Sequence, residues 1–230
     1  MNLQPLKKNS TLTEQAYAAI KEAIYLNHLK PGTPLTEEQL STMLSISRTP
    51  VRSALQQLVF EKLAVSDQTG HIFVSTITRK DVEDITVLRA NLDPLSIQLA
   101  HFPLSSASIH SLKRIQEQQE TLVHANSEDN YQYACLDSMF HTGVASLCDN
   151  TLLVETIRNM GPVMIRINVL SGKLSSFRNA ALQEHADILR FLENGQQEFA
   201  AVAMRQHVQN VGERILSTLT DVEKEEDGAR

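Results

Sequence analysis

The order of helix-forming and strand-forming segments between residues 12 and 75 constrains the fold of this chain most. A first helix is predicted over residues 12–27, because Tyr17, Ile20 and Ile24 repeat at helical spacing. Residues 29–34 contain two prolines and a glycine, which end that helix. The elements that follow must therefore be separate and short.

Two more short helices and a hairpin are predicted next. Thr36 is placed to cap the second helix and Ser47 to cap the third, and Pro50 is tolerated because it lies in the first turn. Val65 and residues 72–74 are predicted as two short strands around a glycine turn. Two helices joined by a tight turn and followed by a two-stranded wing indicate a winged helix-turn-helix, whose second helix enters the major groove of DNA.

The third helix presents polar side chains beside its apolar stripe. Arg48, Arg52 and Gln56 fall at i, i+4 and i+8, so they share one face. Arginine pairs with guanine or phosphate and glutamine with adenine, while Thr49 and Ser53 are placed to bond phosphate near the positive helix end. A merely solvated face is the alternative. The order of turn, basic face and wing favours a DNA reader.

The charge and composition of the chain are compatible with that partner. The net charge is −6, but residues 1–79 carry eight Lys/Arg against six Asp/Glu, and the remainder carries 13 against 21. A mildly basic front is thus followed by an acidic back. The 42% hydrophobic content excludes ordinary disorder, and no apolar run is long enough to span a membrane, so we expect a cytoplasmic protein. Cys135 and Cys148 match no metal or redox spacing and are expected to be reduced core residues.

The rest of the chain is helical in pattern. We predict a mainly α fold in which the winged domain (1–76) precedes an all-α bundle of six or seven helices (77–222) and a frayed charged tail (223–230). Pro94 is expected to kink the first bundle helix, and Gly161-Pro162 to bend the fourth. The predicted helices cover residues 79–100, 105–125, 129–148, 151–171, 177–194 and 196–219.

Four polar residues on three of these helices are candidates for a metal site. Asp137 and His141 lie at i and i+4 on one helix, while His185 and His207 lie among apolar residues on two others. If they converge, one carboxylate and three imidazoles would suit zinc, nickel or manganese. Taken singly, each histidine is more often a hydrogen-bonded, partly buried residue. The spacing by itself leaves both explanations open.

The N-terminal region resembles the DNA-binding domain of GntR-family bacterial transcriptional regulators. The resemblance covers about residues 12–75 and rests on Leu-Lys-Pro-Gly-Thr-Pro-Leu at 29–35 and on Ser-Arg-Thr-Pro-Val-Arg-Ser-Ala-Leu at 47–55. It implies DNA contacts from Arg48, Thr49, Arg52, Ser53, Gln56 and the wing residue Gly70. Glu38 stands where some relatives place a DNA-contacting arginine, and Thr69 replaces a basic residue before the wing glycine.

The helical region resembles the FCD ligand-binding domain that one large GntR subclass carries, in its smaller, VanR-like arrangement of six helices. That resemblance assigns a divalent metal, zinc in the first place, to Asp137, His141, His185 and His207. It also favours Arg89 as a clamp for a ligand carboxylate over a simple ion pair with Asp93 four residues on. Arg166 is a weaker effector-binding candidate, for which a solvated or carboxylate-paired arginine is the alternative.

Together these features predict a repressor that is not an enzyme. We expect a homodimer that binds operator DNA, with an affinity set by a small organic acid held in the metal-containing bundle. The connector 75–78 is expected to transmit the change. A metal-dependent hydrolase is the rival, but Glu184 adjoins His185 and therefore points about 100° away on the helix, so no base is evident. A regulator with a purely structural metal is a third possibility.

Overall fold

The computed structural model describes residues 10–125, 127, 129–171 and 174–227. Residues 228–230 of the expected tail lie outside the described part of the chain. So do Asn126 and Gly172, which fall between predicted helices. The contacts divide the chain between Thr76 and Ile77 into an N-terminal unit and a C-terminal unit. The described elements are α1 (Leu12–Tyr25), α2 (Glu37–Leu44), α3 (Arg48–Phe60), β1 (Ala64–Ser66), β2 (Ile72–Val74), α4 (Arg79–Gln98), α5 (Ser106–His124), α6 (Asn130–Ala145), α7 (Thr151–Leu170), α8 (Leu174–Glu193) and α9 (Gln197–Asp227).

The N-terminal unit is the predicted winged helix-turn-helix. Thr11 and Glu14 form a capping box at the start of α1, and the hydroxyl of Thr36 accepts from the backbone N–H of Gln39 at the start of α2. Ser47 occupies the cap position of α3, but its side chain makes no capping hydrogen bond there, contrary to expectation. The mainly helical fold with a two-stranded wing is thus confirmed.

The core of this unit is formed where α1 and α3 pack together. Ile20 and Ile24 from α1 and Leu55 and Leu58 from α3 are each at most 2% exposed. Burying four large aliphatic side chains contributes roughly 1.5–3 kcal/mol each before chain entropy is subtracted. The α3 helix is therefore fixed by its apolar stripe, which leaves the opposite face to solvent.

The wing is a hairpin of two three-residue strands, and a side chain stabilises its turn. Val65 of β1 lies opposite Phe73 of β2 in antiparallel register. One oxygen of Asp67 accepts from the backbone N–H groups of Thr69 and His71. Gly70 follows with a φ of +86°, in the region that favours glycine.

In the C-terminal unit, six helices of the described chain pack as a bundle. Helix α4 lies along α9, α6 along α7, and α8 along α9. Its largest apolar cluster includes Phe140, Ile188, Leu192 and Met204, all at most 1% exposed. Helices α4 and α7 continue through Pro94 and Pro162, respectively.

The end of the last helix differs from the prediction. Helix α9 continues to Asp227 instead of ending near residue 219. The reason lies in the residue types, because the segment 220–227 contains neither glycine nor proline and is rich in helix-compatible Glu and Lys. High charge alone therefore did not end the helix.

Candidate functional site

Five of the six predicted DNA-contacting residues lie on the solvent side of α3, and the sixth, Gly70, lies exposed in the turn of the wing. Arg48, Thr49, Arg52, Ser53 and Gln56 are exposed, whereas Val51, Ala54, Leu55 and Leu58 are buried. The hydroxyl of Ser53 donates to the backbone oxygen of Thr49 at 3.3 Å. A helix with one buried and one polar face is what insertion into the major groove requires. These contacts with DNA remain predictions.

Both arginines of this face are paired with acidic residues of α2. Arg52 donates through Nε and Nη2 to Glu37 at 2.7 and 2.9 Å, and Arg48 lies 3.3 Å from Glu38. The hydrogen bond from Arg52 lowers the pKa of Glu37. Exposed pairs of this kind contribute at most about 1 kcal/mol, so phosphate can replace the carboxylates.

The four predicted metal ligands meet inside the C-terminal unit. Asp137 and His141 come from α6, His185 from α8 and His207 from α9, and one ligand atom of each lies within 4.8 Å of the others. The Nε2 atom of His207 is 3.2 Å from that of His141 and 3.1 Å from that of His185. All four residues are buried. We call these four residues the metal cluster, because together they could hold one metal ion.

Each imidazole is held from behind by an oxygen atom. Nδ1 of His207 lies 2.7 Å from Glu184, and Nδ1 of His185 lies 3.1 Å from the amide oxygen of Gln119. Nδ1 of His141 lies 2.8 Å from Asp93. Because carboxylate and amide oxygens accept, the contacts of His207 and His185 favour a ring proton on Nδ1 and leave the lone pair of Nε2 facing the centre of the cluster.

The surroundings of His141 and His185 favour the neutral form of both imidazoles. Burial, followed by the charge of Arg89, lowers the pKa of His141. Burial and the neighbouring His207 and His141 lower the pKa of His185 well below its usual range. Burial would raise the pKa of Asp93, but Arg89 and His141 outweigh it and the net shift is downward. Metal binding requires neutral imidazoles, so this electrostatic setting favours it.

The metal cluster has the geometry and the donor set of a metal site. The Nε2 lone pair of His207 lies 3.2 Å from that of His141 and 3.1 Å from that of His185, and lone pairs this close repel each other unless a cation lies between them. The carboxylate of Asp137 adds a fourth donor, with Oδ1 3.6 Å from Nε2 of His185. Three nitrogens and one oxygen suit zinc, and second contacts to the imidazoles are typical of metal-binding histidines.

A small cavity adjoins the metal cluster on the side of Asp137. Its volume is about 30 Å³, room for about two water molecules or one carboxylate group. We call it the Arg214 cavity. Its lining consists of Tyr133, Asp137, Asn168, Phe177, Arg178, Ala181, Val211, Arg214 and Ile215.

Two arginines of this cavity were missed by the sequence analysis. Nε of Arg178 and Nη1 of Arg214 are buried, and neither hydrogen-bonds to a partner within the described part of the chain. A spacing signal existed, because Arg178 lies seven residues before His185, and Arg214 seven after His207. Seven residues are two helical turns, so each arginine shares a face with a metal-cluster histidine.

The two arginines predicted to bind the effector do not line the Arg214 cavity, although Arg89 lines a smaller cavity together with His141 of the metal cluster. Arg89 is buried and donates through Nε and Nη2 to Asp93 at 3.2 and 3.0 Å, which is the ion pair considered as the alternative. It lines two smaller cavities of about 10 Å³ each. Arg166 is also buried and is not among the residues lining the Arg214 cavity. Effector binding by either residue stays a prediction.

Glu184, the only base considered for a hydrolase, has other partners. Its Oε2 faces His207, and its Oε1 accepts from Asn210 at 2.7 Å and from Arg214. A carboxylate that holds a metal ligand and a guanidinium is not placed to activate water at the open side of a metal. This arrangement gives the hydrolase hypothesis no support.

A winged helix-turn-helix followed by an all-helical unit that can hold a metal is the architecture of a ligand-responsive transcriptional regulator. Residues 12–74 match the gntR family of bacterial regulatory proteins, and residues 84–210 match the FCD domain. The chain therefore belongs to the GntR family of transcriptional regulators and carries an FCD domain.

Individual relatives agree with this assignment. The chain is 25% identical over 211 residues to the HTH-type transcriptional repressor RspR of Escherichia coli K12, covering 91% of both chains. It is 25% identical over 189 residues to the gluconate operon transcriptional repressor of Bacillus subtilis, covering 82% of this chain and 74% of the relative. These relatives are named as transcriptional regulators.

Solved structures share the fold. A GntR-type regulator from Rhodococcus sp. RHA1 superposes with a TM-score of 0.77 at 19% identity, covering 90% of this chain and 99% of the other. Escherichia coli McbR/YncC superposes with a TM-score of 0.75 at 19% identity, covering 92% and 100%. Along the described chain, every helix is too short or too polar to cross a lipid bilayer.

Proposed function

We propose that this protein is a repressor whose operator affinity is controlled by a small carboxylate bound beside a zinc ion in the C-terminal unit. The observation that carries the proposal is the composition of the Arg214 cavity. Asp137 of the metal cluster lines the cavity, and so do Arg178 and Arg214, each of which has a buried N–H group without a hydrogen-bond partner among the described residues. A metal ion held by Asp137 and two guanidinium groups at the same cavity would favour an anion.

The size and shape of the cavity support a carboxylate in particular. A carboxylate has two oxygens and fills about the volume of two water molecules, as the cavity does. The zinc ion would supply a positive charge that accepts one oxygen. Arg178 and Arg214 would bond the other oxygen, and each would then gain a charge-assisted hydrogen bond in place of an unsatisfied buried donor.

The apolar wall limits the rest of the ligand. Val211, Ile215 and Ala181 line the same cavity and offer no hydrogen bonds from their side chains. These side chains offer apolar contacts to the remainder of the acid, and the small volume of the cavity favours a short one. We therefore expect an organic acid of few carbon atoms, such as acetate or a slightly larger homologue.

The repressor acts as a homodimer in this proposal. A helix-turn-helix reader gains affinity and register when two recognition helices bind half-sites one helical turn apart. In the C-terminal unit, Val87, Leu88 and Leu95 of α4 are 63%, 54% and 37% exposed. An apolar stripe on a helix surface is a common feature of subunit interfaces. The names of the relatives, RspR and the gluconate operon regulator, support repression rather than activation.

Operator binding with and without acids tests this function. Zinc-loaded, untagged protein would first select its site from a random duplex library, and the affinity for that site would then be measured by fluorescence anisotropy. We expect one or more short carboxylates to change the affinity about five- to 150-fold. A site that binds equally well with every acid and with chelator would refute the effector role, and the absence of any selected site would refute the regulator itself.

A further inference from the structure

Glu184 connects the metal cluster to the Arg214 cavity through two consecutive contacts. Its Oε2 lies 2.7 Å from Nδ1 of His207, which is a cluster member. Its Oε1 accepts from Nη2 of Arg214. The other end of that guanidinium, Nη1, has no hydrogen-bond partner within the described residues and belongs to a side chain that lines the cavity. The side chain of Arg214 therefore lines the ligand cavity and also bonds Glu184, the carboxylate that supports His207.

The other supports of the metal cluster lack this connection. His141 is backed by Asp93 and then by Arg89, but Arg89 is not among the residues that line the Arg214 cavity. His185 is backed by the neutral amide of Gln119. His207 is thus the one cluster histidine whose support leads to an arginine of this cavity.

We propose that Arg214 and Glu184 form a link through which an anion in the cavity strengthens metal binding at His207. The inference rests on the proposed function and goes beyond it, because it assigns the coupling to two residues. An anion on Nη1 draws on the positive charge that Arg214 otherwise gives to Glu184. Glu184 then becomes a stronger acceptor for the Nδ1–H of His207, and the imidazole becomes a better ligand. Glu184 is a positioning residue in this scheme.

The geometry of Glu184 allows it to transmit such a change. Asn210 donates to its Oε1 at 2.7 Å, so the carboxylate stays oriented when Arg214 shifts toward the anion. Because Asn210 lies on α9 between His207 and Arg214, all three contacts with Glu184 come from one helix. The link is therefore short and needs no movement of one helix past another.

A double-mutant cycle on zinc affinity tests the link. Zinc affinity of the full chain would be measured by competition with a chromophoric chelator, with and without saturating acetate. The ratio of the two affinities is the coupling, which we expect to be about tenfold in the wild type. Arg214→Gln and Glu184→Gln should each lower it to about two- to threefold, and the double variant should lower it no further. A direct bond from acetate to zinc accounts for the remainder.

Two further variants control for indirect effects. Arg205, which is exposed on the same helix and bonds Asn91, is the matched control, and Arg205→Gln should keep the wild-type ratio. Arg214→Lys keeps the charge but lacks the fork that reaches two partners, so it should lower the ratio as Arg214→Gln does. This variant also answers the question if Arg214→Gln does not fold, as judged by circular dichroism.

Each other outcome has a definite meaning. An unchanged ratio in Arg214→Gln, or reductions that multiply in the double variant, would overturn the link while leaving zinc and carboxylate binding intact. A ratio below one in the wild type would overturn its direction. A wild-type protein that binds no zinc, or whose zinc affinity ignores acetate, would overturn the proposed function together with the link.

Discussion

Removing the metal should lower the thermal stability of the C-terminal unit by an amount that follows from binding alone. An ion that binds only the folded state stabilises it by about 2.7 kcal/mol when its free concentration is 100 times Kd. The four donors of the metal cluster come from three helices, so the unfolded chain offers no comparable site. For a chain of this size, 1 kcal/mol corresponds to about 2–4 °C, and we expect Tm to fall by roughly 5–11 °C with chelator.

The assay is differential scanning fluorimetry on untagged protein, with zinc, with chelator and with zinc restored. His185→Ala and Asp137→Ala should abolish the zinc-dependent shift. The shift, rather than the absolute Tm, is the measured quantity, because His185 is fully buried and its ring stacks on Phe140 at 4.1 Å between centroids. Loss of that packing destabilises the variant whether or not metal is present.

His110→Ala is the matched control, since His110 is an exposed histidine on α5 and lies outside the metal cluster. It should keep the wild-type shift. A Tm that is the same with zinc and with chelator, in protein shown to be folded, would refute the metal-site reasoning. A shift that survives in both His185→Ala and Asp137→Ala would show that zinc binds elsewhere.

The remaining predictions concern DNA binding, pH and packing. Reversing both charges with Arg48→Glu and Arg52→Glu should abolish operator binding in anisotropy titrations, whereas Lys30→Glu, off the recognition helix, should weaken it only slightly; equal losses would contradict the assigned face. Glu37→Gln removes the negative charge and one of the two oxygens that accept from Arg52, and should raise operator affinity by up to about fivefold; a lower affinity would count against competition between Glu37 and phosphate. His141 and His185 have folded pKa values below the ordinary 6.5, so the unfolded chain binds more protons below that pH. In urea titrations of metal-free protein, the free energy of unfolding should therefore be highest at pH about 7.5 and fall toward pH about 5.5. An increase on acidification would contradict the lowered pKa values. Gly212→Ala would place a methyl group 2.6 Å from the side chain of Thr86, where α9 meets α4; it should cost about 1–3 kcal/mol in the same titrations, and adding Thr86→Ala should restore most of the loss.

Much of the architecture was predictable from local signals. Turn residues at 29–34 and 46–47 separated the three N-terminal helices, and the apolar stripe of α3 identified its buried face. In the second half of the chain, the helical periodicity of apolar residues predicted the six helices of the bundle, and most of the predicted helix ends are correct to within a few residues. These signals work because helix periodicity and backbone-breaking residues act within one or two turns of the chain. The end of α9 was misjudged, since charge is a weaker stop signal than glycine or proline.

The polar sites depended more on tertiary structure. The spacing of Asp137 and His141 indicated a shared face, but which residues would stand behind the histidines had no sequence signal. Asp93, Gln119 and Glu184 approach them from α4, α5 and α8. The same applies to Arg89, whose spacing to Asp93 fitted either an ion pair or a ligand clamp. The packed helices pair it with Asp93.

By itself, the sequence determined the order and type of the elements, the buried stripe of each helix and the residue types able to bind DNA or metal. Only the tertiary structure decided that the Nε2 atom of His207 lies within 3.2 Å of those of His141 and His185 and that Arg178 and Arg214 line a cavity beside them. The physical reason is range. Backbone preferences and side-chain periodicity are local, whereas the meeting point of side chains from α6, α8 and α9 depends on how whole helices pack against each other.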